Sequence, residues 1–251
     1  MASNDSESKE QPTFIDTGFN REDGEAALVK GVFSLCPVVG PLAGEVISHL
    51  IPNQRWKRIQ KLLQKLESRI SHLEQEQLDE RFRDSQFIDL LEDGFHQAAR
   101  ALKEERLEYI AALVANGVTS EGEDIIRIKK LMNLLDTLND VEVLHLINYS
   151  YLEFNDQSFM EKHPDILQPL LVTLESDTEE REKACLQESY KQQLANLGLV
   201  QPRFKKPKRD ELPEFDEKTG KMKATGYHLT PLGRLLLRYI EQGIDIEGQK
   251  G

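Results

Sequence analysis

The chain has 251 residues, and 32 Lys and Arg stand against 44 Asp and Glu, a net charge of −12. Hydrophobic residues make up 39 % and charged residues 30 %, enough for a core in one large domain or two small ones. With 15 Gly and 10 Pro, the composition excludes collagen-like and low-complexity chains. The charge is uneven. Residues 1–83 hold 11 basic and 13 acidic side chains, residues 84–199 hold 10 and 23, and residues 200–251 hold 11 and 8. The net values of −2, −13 and +3 place the acidity in the middle, so bulk attraction to nucleic acid is not expected.

Residues 1–21 are rich in Ser, Asp, Glu and Asn without apolar period and read as a disordered tail. They lack the basic start and apolar centre of a signal peptide. Cys36 and Cys185 are far apart and form no disulfide framework, which predicts reduced thiols and a cytoplasmic chain. Residues 26–51 are apolar apart from Lys30, Glu45, His49 and scattered small polar residues, and are broken by Pro37 and Pro41. Proline lacks an N–H and clashes with the preceding turn, so the pattern predicts a helical hairpin. Its uncharged stretch, residues 31–44, is too short for an ordinary span.

Residues 53–83 are expected to form one long helix, capped at Asn53, with Trp56, Ile59, Leu63, Leu66, Ile70 and Leu73 as its apolar stripe. Its first half is basic. Residues 85–116 read as a second long helix stopped at Asn116-Gly117. A capping box at Ser120 and Glu123 opens a third, and Asn139-Asp140 caps a fourth over residues 141–151. Successive helices with short turns make a bundle. A loop at 154–164 and a short helix at 166–174 precede a second capping box at Ser176 and Glu179. The helix over 178–197 stops at Gly198. A strand at 199–204, a charged insert at 205–223 and a strand at 227–229 follow. Thr230-Pro231 then opens a final helix to residue 241.

Two stretches carry a resemblance: Leu194-Ala195-Asn196-Leu197-Gly198-Leu199-Val200 and Tyr227-His228-Leu229-Thr230-Pro231-Leu232-Gly233-Arg234. With the order helix, short helix, helix, strand, wing, strand, helix, residues 138–241 resemble a winged-helix module of the bacterial transcription-regulator type. That resemblance implies a helix ended by left-handed Gly198 and a sheet whose Leu199 and Leu229 face the core. It speaks to fold more than to function. The N-terminal half resembles bacterial helical proteins with a Gly/Pro-broken apolar hairpin, an Ile-Pro-x-x-Arg step and a long amphipathic helix, a type to which no activity attaches. The expected fold class is therefore mainly α: a helical domain over 22–137 with the apolar hairpin, a winged-helix-like domain with a small β-wing over 138–242, and a disordered tail over 243–251.

Two function classes follow. In the first, the chain is a non-enzymatic effector or adaptor. Val29, Phe33, Leu35, Val38, Val39, Leu42 and Ile47 enter a lipid boundary or pack on partner helices. Arg55, Lys57, Arg58, Lys61 and Lys65 meet anionic headgroups beside Trp56, at the inner membrane surface. The alternative for the same hairpin is burial against the bundle, with the lysines solvated. In the second class, the chain is a DNA-binding regulator. Lys191, Arg203, Lys205, Lys206, Lys208 and Arg209 contact phosphates, although four Glu crowd the start of the candidate recognition helix. A protein partner or self-association is expected in the first class and duplex DNA in the second. Glu142 and His145 have the Glu-x-x-His spacing of di-iron bundles, but the motif is single, so His145 is expected to be a half-buried or surface histidine. No nucleophile elbow, phosphate loop or Cys-x-x-Cys pair occurs; no catalytic residue, cofactor, metal or small-molecule substrate is identified.

Overall fold

The computed structural model describes residues 55–170, 172–173, 175–206, 212, 214–215, 220, 222 and 224–243. It is mainly helical with one small sheet. The helices are α1 (Trp56–Ile70), α2 (Gln75–Arg81), α3 (Ser85–Arg100), α4 (Glu104–Val118), α5 (Glu123–Thr137), α6 (Asp140–Leu152), α7 (Ser158–Lys162), α8 (Pro164–Leu167) and α9 (Thr178–Asn196). Strands β1 (Val200–Phe204) and β2 (Ala224–Leu229) follow, and α10 (Pro231–Tyr239) ends the described order. The apolar segment 26–51 and the Asn53 cap lie outside the described residues.

Helix α4 is the centre of the bundle. Ile110, Ala111, Ala112, Leu113 and Val114 are all fully buried, so it is enclosed on every side. It packs against α1, α3, α5 and α10. The predicted α1 stripe holds: Ile59, Leu63, Leu66 and Ile70 are buried, and Leu62 widens the stripe. Two of the expected long helices are each two. The first breaks at residues 71–74, and the second breaks after Arg100, where Ala101 turns extended (ψ 128°). Leu102, placed on the apolar face by an unbroken helix, is instead 87 % exposed in the turn. The break lets α4 turn back onto α3 and α1.

Gly117 does not stop α4, which runs on through Val118. Its role is close approach: a Cβ there would stand 2.3 Å from Leu90 Cδ2 on α3. The expected Ser120–Glu123 capping box is also absent. Gly122, at φ +54°, is the N-cap of α5, and the Ser120 hydroxyl donates back to the Asn116 carbonyl at 2.7 Å. The left-handed backbone is what glycine permits and a β-carbon penalises.

The Asn139 cap of α6 forms in full. Asn139 Oδ1 accepts from the Glu142 N–H at 2.9 Å, and Glu142 Oε2 accepts from the Asn139 N–H at 2.8 Å. Beside it, Arg106 of α4 donates from Nε to Asp140 Oδ1 (2.9 Å), from Nη1 to the Leu135 carbonyl (2.8 Å) and from Nη2 to the Leu138 carbonyl (2.5 Å). This buried guanidinium donates to two carbonyls where α5 ends and fixes the direction in which α6 departs.

Past α6 the chain builds α9, the sheet and α10. The helix expected over 166–174 is confined to Pro164–Leu167, and α7 stands just before it. Asp177, rather than Ser176, caps α9, accepting from the Glu180 N–H at 2.8 Å. Gly198 has φ +71°, and Leu199 and Leu229 are buried, as the resemblance implies. The strands pair antiparallel, Val200 opposite Leu229 and Pro202 opposite Tyr227, with a register shift between Arg203 and Phe204. Thr230 closes this end: its hydroxyl accepts from the Gly233 N–H at 3.0 Å and donates to the Gly198 carbonyl at 2.6 Å. Gly233 has no room for a side chain, because a Cβ would stand 2.2 Å from the Leu199 carbonyl oxygen. One buried apolar cluster runs from Ile59 through α4 and α6 to Ile240.

Two substitutions test this arrangement by chemical denaturation. Arg106→Ala removes the side-chain donor to the Leu135 and Leu138 carbonyls and the partner of Asp140, and is expected to cost ~3 kcal/mol, with Arg106→Lys recovering only part. Gly117→Ala is expected to cost about 1–3 kcal/mol through overpacking against Leu90.

Candidate functional site

Three regions of the described chain gather chemistry-bearing side chains. The first is the basic face of α1. Arg55 and Lys57 are exposed. Arg58 is turned inward, and its Nη1 donates to the Ala99 carbonyl at 2.8 Å, near the end of α3. Lys61 pairs with Glu104 at 2.7 Å, and Lys65 pairs with Glu104 at 3.2 Å and with Glu108. Arg69 pairs with Glu108 at 3.0 Å and with Glu241 at 2.5 Å. Spacings of four along α1 and α4 make this a ladder of three cations on α1 and two carboxylates on α4, joined by Glu241 from beyond α10. Burial pushes the Lys65 ammonium down, but Glu108 and Glu104 more than offset it, so its pKa lies above the usual lysine value. Glu104 is held below the usual carboxylate range by hydrogen bonds from Lys61 and Lys65. The ladder thus engages Lys61 and Lys65 within the chain, Lys61 in an exposed pair and Lys65 and Arg69 in partly buried ones. Val29, Phe33, Leu35, Val38, Val39, Leu42 and Ile47 fall outside the described residues, as does the side chain of Trp56.

The second region lies where α6 meets α9 and β2. His145 is buried rather than half-buried or on the surface, with Nε2 lacking a hydrogen-bond partner among the described residues. Its ring lies 5.9 Å from that of Tyr190 on α9. Burial, then the nearby Lys191 ammonium, hold its pKa down at about 4. Asn148, one turn further along α6, is also buried, with Oδ1 unpartnered. Tyr149 is pushed well above the usual phenol range, first by burial and then by Tyr227 and Glu188. This seam holds α9 against α6. Glu142 is committed to the α6 cap, and among the described residues no group of His, Cys, Asp and Glu is placed to hold a metal.

The third region is the outer face of α9 with the β1–β2 hairpin. Of the 19 residues of α9, only Leu194 is buried. Leu186 is 54 % exposed, and Leu170 and Val172 are exposed just before the helix. Gln187 pins that preceding segment: its Nε2 donates to the Ile166 (3.1 Å) and Gln168 (2.9 Å) carbonyls, and its Oε1 accepts from the Leu170 N–H at 3.3 Å. Across the hairpin Phe204, Phe215 and Met222 are exposed, with Phe215 bridged to Met222. Arg203 and Lys206 face solvent, Lys205 pairs with Glu214 at 2.9 Å, and Lys191 pairs with Glu188 at 3.6 Å. Lys208 and Arg209 lie outside the described residues. The basic residues were legible as a run; the apolar side chains interleaved with them were not singled out, although Phe204 stands just before the charged insert and Leu212 and Phe215 plainly within it.

A cavity of about 550 Å³ between α2 and the α4–α5 turn is lined by Leu73, Glu80, Arg81, Asp84, Val118 and Glu121, among others. Arg81 is already engaged there, with Asp84 at 2.6 Å, the Gly117 carbonyl at 3.2 Å and the Phe87 ring. Among the described residues no helix is long and apolar enough to cross a membrane. Comparisons with protein-family models, with curated proteins and with solved structures find no match.

The buried His145 sets a pH dependence. An imidazole whose folded pKa is depressed stabilises the fold fully above its unfolded value near 6.5, and that contribution is lost as pH falls toward about 4. Unfolding free energy should therefore drop between pH 6.5 and 4. His145→Gln should flatten that segment of the profile relative to the unsubstituted chain, measured by urea denaturation at each pH.

Proposed function

We propose that the chain is a non-enzymatic adaptor whose winged-helix-like end docks a protein. The observation that carries this reading is the burial of α9: a 19-residue helix with one buried side chain, beside exposed Leu186, Leu170 and Val172. Most helices in a protein are held by a buried apolar face, and one without it presents its surface to something else. The first two turns of α9 carry Glu179, Glu180 and Glu182, and Asp177 caps them. This acidity opposes the phosphate backbone and favours a protein surface over duplex DNA. The apolar segment 26–51 is assigned to a membrane surface or partner helices on its sequence alone. The ladder engages Lys61 and Lys65, so Arg55 and Lys57 are the exposed cations of α1 and its start with no ion pair among the described residues.

The test is a photo-crosslinking residue at position 186 in the full chain, expressed in cells of its source, with the same residue at the equally exposed position 126 as control. A discrete protein adduct from position 186 alone is the expected result. Adducts with nucleic acid only, or none, overturn the docking reading. In parallel, the purified chain should show no salt-sensitive binding to a duplex by fluorescence anisotropy; tight binding that weakens steeply with salt would replace this reading with the DNA-binding one.

A further inference from the structure

We infer that the partner on the α9 face is a second copy of this chain, in a two-fold dimer in which α9 of each copy meets the β1–β2 hairpin of the other. This deepens the docking reading and rests on it. The argument is complementarity of charge and of apolar surface on two patches of one molecule. Residues 175–188 hold six carboxylates and two cations, a net charge of −4. On the hairpin the described residues Arg203, Lys205 and Lys206 stand against Glu214, a net charge of +2. Each patch also carries exposed apolar side chains: Leu186 at 54 % and Val172 at 48 % on the acidic side, Phe204 at 44 % and Phe215 at 57 % on the basic side. Opposite charge and shared apolar character are what a specific contact requires at its rim and centre.

The acidic patch has cations of its own, but they are already engaged. Lys183 pairs with Glu179 at 2.6 Å, and Arg181 donates to the Ser176 carbonyl at 2.9 Å. Glu180 and Glu182 are exposed in the first turns of α9. On the hairpin, Arg203 and Lys206 are exposed cations beside Phe204. Because the two patches differ, a chain cannot pair acidic patch to acidic patch. A two-fold axis lets each acidic patch meet a basic one, so the contact forms twice and the assembly closes. A stable interface needs about 1,200 Å² in total, so each of the two contacts has to cover only ~300 Å² on each partner. A helix of 19 residues is about 28 Å long, which is ample for that.

Sedimentation velocity on the full chain tests this at micromolar concentrations in low and high salt. A dimer that weakens as salt rises is expected. Glu180→Lys with Glu182→Lys should weaken it at least tenfold, and so should Arg203→Glu with Lys206→Glu. The chain carrying all four reversals should regain affinity to within a few-fold of the original. All four positions are exposed, and far-UV circular dichroism shows whether each variant keeps its helices. A monomer at every concentration overturns the dimer; a protein adduct from position 186 with another protein then leaves the docking reading standing. A dimer indifferent to both reversals, or not rescued by their combination, overturns the assignment of these faces.

Discussion

The Arg106 guanidinium is the fixed point from which the second half of the molecule is laid out. It rises from a helix buried on every side and donates to the end of α5 and the start of α6. The Leu135 and Leu138 carbonyls at the end of α5 and one carboxylate at the first turn of α6 all accept from one planar group. A plane with fixed N–H directions does more than neutralise charge: it fixes the angle at which α6 leaves the bundle. Every later element is referred to α6. Helix α9 and β2 pack on it, and α10 reaches it through Arg234, which makes two contacts with Glu153. The Asn139–Glu142 cap then holds the same corner from the other side, so the corner is fixed by backbone and side chain together.

Charge is distributed by neighbourhood rather than spread as an average. Along the seam of α1 and α4 three cations of α1 meet two carboxylates of α4 and Glu241 from beyond α10, which keeps the bundle surface nearly neutral where the two helices meet. The unmatched acidity is placed on α9 and its approach, and the unmatched basicity on the hairpin beyond. Such a separation raises the energy of the isolated chain slightly and lowers it when the two regions face opposite charge. The acidity lies on α9, which buries one of its 19 residues, so the electrostatic and apolar signals coincide in space.

Local signals in the sequence carried furthest where one residue decides its own backbone. Gly198, Asn139 with Glu142, and Thr230 with Pro231 behave as their chemistry dictates, and the apolar stripe of α1 is read directly from spacing. The helix breaks at 71–74 and after Arg100 were hidden, because neither contains a glycine or proline and the gain comes from packing α4 against distant helices. Gly117 looked like a stop signal, but it is a contact, since only the position of Leu90 on another helix reveals the lack of space. The bonds of Arg106 and Gln187 to backbone carbonyls 19 to 32 residues away follow no period at all. For the candidate site, the charges were legible. The exposure of α9 was not, because a helix's solvation depends on what the rest of the chain leaves uncovered.

The single buried side chain of α9 has a consequence for how this protein can change over generations. At a buried position nearly every substitution is filtered by stability before its effect on function is tested. The outer face of α9 is released from that filter, since its side chains contribute little to holding the fold. New charges and shapes can accumulate there at almost no cost in folding, while Leu194, Gln187 and the Thr230 junction keep the helix in place. The surface with the greatest freedom to drift is thus carried on a frame that resists it, and recognition can diversify without the core being rebuilt.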